Sequence, residues 1–107
     1  MEFIIAGWLD YGEARDEVLR HFAECALASR EETGCLDYVV SADPHHAGRV
    51  VVLERWLSED DLRAHFQTPH IVKFRDAVSP YSRVGRDLRR YFVASSEEFS
   101  SASAATA

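Results

Sequence analysis

The apolar positions of EFIIAGWLDY (2–11) run almost without a break and favour β-branched and aromatic side chains, which predicts a strand with both faces partly buried. From Gly12 the period lengthens. Val18, Phe22, Cys25, Ala26 and Ser29 recur at helical spacing, with Glu17, Arg20, Glu24 and Glu31 opposite. Gly34 suits the left-handed position just past a helix C-terminus. Glu31 and Glu32 sit at the helix end whose dipole disfavours negative charge, and nothing in the pattern accounts for them. CLDYVVSA (35–42) and RVVVLERWL (49–57) predict two strands, joined as an antiparallel hairpin by Asp43-Pro44-His45-His46-Ala47-Gly48. Ser58 then caps a second helix, with Asp61 three residues on. Pro69 forbids simple continuation, so Thr68 caps a third helix with Pro69 in its first turn. Its apolar stripe is Ile71, Phe74, Val78 and Tyr81, ending near Pro80. RVGRDLRRYFVA (83–94) predicts the last strand, and SSEEFSSASAATA (95–107) a low-complexity polar tail.

The order β-α-β-β-α(α)-β predicts an α+β fold, the ferredoxin-like split βαβ arrangement, as one domain over 1–94. One sheet face belongs to the helices. The other cannot stay bare, because both strand parities are apolar: Ile5, Val39, Val51 and Leu53 in one set, Ile4, Ala6, Val40 and Val52 in the other. A second sheet from an identical chain is the simplest cover, so a homodimer is expected.

Composition narrows the function. The 107 residues are 47% hydrophobic and 28% charged, ordinary for one globular domain, with a net charge of −6. The one basic cluster, Arg83, Arg86, Arg89 and Arg90, is diluted by Asp87, so no nucleic-acid partner is expected. No apolar run nears the ~20 residues of a membrane span, and the N-terminus lacks a signal-peptide layout. Cys25 and Cys35 form neither a metal spacing nor a disulfide framework, and a reducing cytoplasm is expected.

Chemistry concentrates in ERWLSEDDLRAHFQTPH (54–70). Strand alternation puts Val52, Glu54 and Trp56 on one face. If that face meets the helices, Glu54 enters an apolar space where ionisation is disfavoured unless it is paired, with Arg75 and Arg89 as candidate partners. Trp56 suits the core and equally the floor of a cavity for a flat ligand. His65 borders the apolar face of the second helix, one turn after Asp61, which could pair with it. His70 falls in the first turn of the third helix, where the dipole disfavours an imidazolium. Such a histidine beside an apolar pocket suits proton abstraction from a phenol or an acidic carbon, and packing or capping explains it as well. His45 and His46 read as a solvated turn. Zinc accepts donors such as His65, His70 and Glu54, but the spacing is not diagnostic, so no metal is expected. Phosphate loops, nucleophile elbows and dinucleotide fingerprints are absent, and no cofactor site is expected.

GCLDYVVSADP followed by VVVLERWLSEDDLRAHFQTPHIVKF resembles the antibiotic biosynthesis monooxygenase (ABM) family, above all its quinol-monooxygenase-like branch. The matches are Gly34-Cys35, Glu54, Trp56, Leu62, Ala64-His65 and Gln67-Thr68-Pro69-His70, within a similarity over roughly 1–94. The resemblance implies a dimeric α+β barrel and a pocket between each sheet and its own helices. It also implies oxidation of a small quinol or polyphenol by O₂ without metal or flavin. Catalytic roles would fall to His65, His70 and Glu54, with Glu54 orienting one imidazole. Trp56, Tyr38, Arg75 and Phe74 would bind substrate. The absence of asparagine speaks against the haem-degrading branch, and Val40 and Val52 speak against an anthrone oxygenase. An isomerase of a phosphorylated autoinducer-type sugar, or a non-catalytic ligand-binding dimer, is the alternative.

Overall fold

The computed structural model describes residues 1–101; of the expected tail at 95–107, positions 102–107 lie outside the described residues. Four strands alternate with helices: β1 (Phe3–Asp10), α1 (Arg15–Ser29), β2 (Cys35–Ala42), β3 (Arg49–Trp56), α2 (Glu59–His65), α3 (Pro69–Val78) and β4 (Gly85–Phe92). The strands form one antiparallel sheet in the order β2-β3-β1-β4. The ferredoxin-like α+β reading therefore holds. Helix period starts later than expected after Gly12, because Gly12–Ala14 form a single 3₁₀ turn first.

Register decides which side chains share a face. Phe3, Ile5, Gly7 and Leu9 lie opposite Trp56, Glu54, Val52 and Val50, and Tyr38 and Val40 lie opposite Glu54 and Val52. These rows meet Val18, Phe22 and Ala26 of α1, Leu62 of α2 and Val78 of α3 in one core. Ile5 thus belongs with Val40 and Val52, while Ile4 and Ala6 join Val39, Val51 and Leu53 on the other face. This corrects the sequence grouping. Residue parity within a strand says nothing about how neighbouring strands are phased; only pairing sets that.

The outer face stays apolar and uncovered. Val39, Val51, Leu53 and Tyr91 are 36–52% exposed, edged by the ion pairs Arg55–Asp37, Arg55–Glu2 and Arg89–Asp87. Among the described residues no helix is long and apolar enough to cross a membrane.

The helix caps form as the sequence predicts. Ser58 Oγ accepts the Asp61 N–H at 3.2 Å, and Thr68 Oγ1 accepts the Ile71 N–H at 3.4 Å. Gly34 has φ +80°, and a Cβ there would lie 2.0 Å from the Asp61 carboxylate. Gly34→Ala is expected to cost about 1–2 kcal/mol from backbone strain alone, with crowding of Asp61 added. Urea unfolding of the two proteins, compared at equal m-value, checks this.

Candidate active site

The turn after α1 is pinned by several bonds. The buried Ser29 hydroxyl donates to the Cys25 carbonyl at 2.7 Å. The Glu32 N–H donates to the Ser29 carbonyl at 3.0 Å, and the Cys35 N–H to the Glu32 carbonyl at 3.2 Å. The Gly34 carbonyl accepts the Leu57 N–H at 2.8 Å, tying the turn to the end of β3. Across from it, α2 ends at His65 and α3 restarts beyond Thr68, whose hydroxyl donates to the His65 carbonyl at 2.7 Å. That corner presents two imidazoles with ring centroids 6.0 Å apart.

Glu32 joins them. Its Oε2 lies 2.6 Å from His65 Nδ1 and 2.6 Å from His70 Nε2. A carboxylate only accepts, so both nitrogens donate, which leaves the lone pair of neutral His65 on Nε2 and that of His70 on Nδ1. Sequence reasoning missed Glu32 as a site residue, because it lies 33 and 38 residues from its partners. One signal was present: an acidic side chain at a helix C-terminus, against the dipole. Its two imidazole partners explain that cost.

His65 is 1% exposed. Its ring packs against Trp56 at 4.9 Å, Tyr38 at 5.6 Å and Phe66 at 5.5 Å between centroids. Burial lowers its pKa, and the hydrogen bond to Glu32 opposes that shift without reversing it. At neutral pH His65 is therefore an uncharged imidazole, the form a general base requires.

Glu54 is 7% exposed and accepts the Trp56 indole N–H at 3.0 Å. Burial raises its carboxyl to about 7; the indole bond opposes this, and the charge of Glu32 adds to it. The arginine partners expected for Glu54 do not meet it. Arg89 pairs with Asp87 at 2.9 Å on the outer face. Arg75 is exposed, with its guanidinium carbon 5.2 Å from the Phe66 ring centroid. Nor does Glu54 orient an imidazole, since Glu32 holds both. Asp61 also fails to reach His65, because the Ser58 hydroxyl donates to it at 2.8 Å.

The space differs from expectation too. Tyr38, Trp56 and His65 pack against one another where a hollow between sheet and helices was expected. A cavity of about 170 Å³ lies instead between α1 and α3, lined by residues that include His70, Phe74, Cys25 and His21. Phe74 stacks on Phe22 at 4.4 Å there. His70 and Phe74 thus reach the cavity wall, while Tyr38 and Trp56 stay behind His65. The cysteines offer no nucleophile: both are free, and burial raises the Cys25 thiol and takes that of Cys35 to about 11.

Glu54 gives a pH signature. Its folded carboxyl titrates near 7, and an unfolded glutamate at 4.5. Between these values the folded state holds a proton that the unfolded chain has released, so stability falls as pH rises. The span corresponds to about 3 kcal/mol, present below pH 4.5 and lost by pH 7. Glu54→Gln is expected to flatten the decline in Tm between pH 5 and 8 relative to wild type, measured by differential scanning calorimetry.

The family model for antibiotic biosynthesis monooxygenase matches residues 11–77, a span that contains Glu32, His65 and His70. The probable quinol monooxygenase YgiN of Escherichia coli K12 is 33% identical over 72 residues, covering 60% of this chain and 69% of that protein. Among solved structures, Rv0793 from Mycobacterium tuberculosis superposes with a TM-score of 0.75 at 21% identity, over 94% of this chain and 100% of that one. PA3566 from Pseudomonas aeruginosa gives 0.76 at 20% identity, over 88% and 95%. These likenesses carry the fold, and the family match carries a monooxygenase-type role. The chain belongs to the antibiotic biosynthesis monooxygenase family.

Proposed function

We propose that the protein oxidises a small quinol or polyphenol with O₂, using the imidazoles on Glu32 as its base and no bound cofactor. The carrying observation is one carboxylate oxygen shared by His65 and His70, with His65 packed on an indole and a phenol and His70 reaching the wall of the α1–α3 cavity. The likeness to the probable quinol monooxygenase YgiN supports the substrate class.

His70 is 24% exposed at its side chain and meets a substrate hydroxyl first. Taking its proton yields an electron-rich phenolate, and Glu32 stabilises the imidazolium that forms. The anion gives one electron to O₂, and the resulting radical pair joins at a ring carbon as a hydroperoxide. Loss of water leaves a carbonyl. One oxygen atom enters the product and the other departs as water, so the substrate gains O and loses two hydrogens. Phe74, backed by Phe22, supplies the apolar part of the wall that keeps the anion from bulk water. Trp56 and Tyr38 act from behind His65, fixing its ring.

The outer sheet face belongs to the same proposal. Its exposed Val39, Val51, Leu53 and Tyr91 are covered by a second copy, sheet to sheet.

Two outcomes are expected. With a menadiol-type quinol in an oxygen electrode, Glu32→Gln lowers O₂ uptake about 100-fold; an unchanged rate overturns the base assignment. In sedimentation velocity the wild type runs at twice 12.1 kDa, and Leu53→Asp shifts it to the monomer.

A further inference from the structure

Among the described residues, the donor atoms of Glu32, His65 and His70 all lie within 4.8 Å of one another. They come from three separate places: the turn after α1, the last residue of α2 and the first turn of α3. Two imidazoles and one carboxylate are the donor set of open zinc sites, which bind three protein groups and leave a fourth position for water. We propose that these three side chains form a binding site for a divalent transition cation of the zinc class.

The fit can be judged from the distances. In a tetrahedral site with bonds near 2.0–2.1 Å, donors sit about 3.3 Å apart. The carboxylate oxygen is 2.6 Å from each nitrogen, so a cation must open both contacts by about 0.7 Å, on the same metal–ligand geometry. The two imidazole nitrogens must close together as well. The backbone around Glu32 is pinned, so the adjustment falls to the rotatable side chains of Glu32 and His70 while His65 stays packed. The set is shielded without being sealed: side-chain exposure is 1% for His65, 12% for Glu32 and 24% for His70. Of the three, His70 also lines the α1–α3 cavity. Donor type alone makes Glu54 the conceivable carboxylate of such a site, with no diagnostic spacing and no metal expected; in the structure Glu32 is the carboxylate beside the imidazoles. Glu54 is held by the Trp56 indole instead.

Cation and base use the same two rings through opposite nitrogens. A bound cation takes the lone pairs of the two nitrogens that now donate to Glu32, which moves each ring proton to the outer nitrogen where the basic lone pair was, so occupancy and the proposed proton abstraction exclude each other. Binding itself does not depend on the oxygenase reading and is tested apart from turnover.

The test is a zinc titration of metal-stripped protein, by calorimetry and by competition with a chromogenic chelator. A His45→Ala/His46→Ala background removes the exposed turn pair. One zinc per chain with micromolar or tighter affinity is expected, weakened at least tenfold by His70→Ala and by Glu32→Gln, each checked for folding by circular dichroism. Cobalt substitution should give the visible bands of a four-coordinate nitrogen–oxygen site. Absence of binding below 100 µM, or an affinity unchanged from the parent protein in both variants, overturns the proposal. If zinc binds and quinol oxidation persists at full occupancy, the base assignment fails and the metal site stands.

Discussion

Everything at this site depends on one part-buried carboxylate oxygen accepting from two imidazoles. Glu32 Oε2 sits 2.6 Å from both ring nitrogens, in a region closed by Trp56, Tyr38 and Phe66. In such surroundings a hydrogen bond to a charged acceptor is stronger than in water, and an unmet polar group costs more. The shared oxygen therefore fixes three things together. It holds the Arg30–Gly34 turn against the α2–α3 corner, it selects the tautomer of each ring, and it keeps two basic lone pairs available on the outer nitrogens.

The second carboxylate has the opposite environment. Glu54 has a single donor, the Trp56 indole, and burial otherwise sets its behaviour. Two glutamates in one core thus carry different roles, as paired carboxylates do where environments are pushed apart. Glu54 holds its proton well above the usual carboxylate range and is bonded to the side chain two residues on. Glu32 is the acceptor that faces nitrogen. Confusing them from sequence was easy, since Glu54 lies in the motif-bearing stretch and Glu32 outside it.

The uncovered sheet face and the packed helix face are two consequences of one composition. Strands β1, β2 and β3 have apolar side chains on both parities, so either face could have met the helices. The helices cover the face carrying Phe3, Leu9, Val50, Val52 and Trp56. What is left is an apolar surface framed by ion pairs.

Local chemistry alone determined much of this protein. Alternation and helical spacing place all four strands and three helices. Ser58, Thr68 with Pro69, and Gly34 mark their boundaries, because caps and left-handed turns depend on residues a few positions apart. His65, His70, Glu54 and Trp56 stand out for the same reason, lying within seventeen residues of one another. Tertiary structure alone decided the rest: which carboxylate reaches the imidazoles, which strand parity faces inward, and where the open space lies. Those depend on strand phasing and on contacts across 33 and 38 residues. No periodicity along a chain encodes the distance between side chains that only folding brings together.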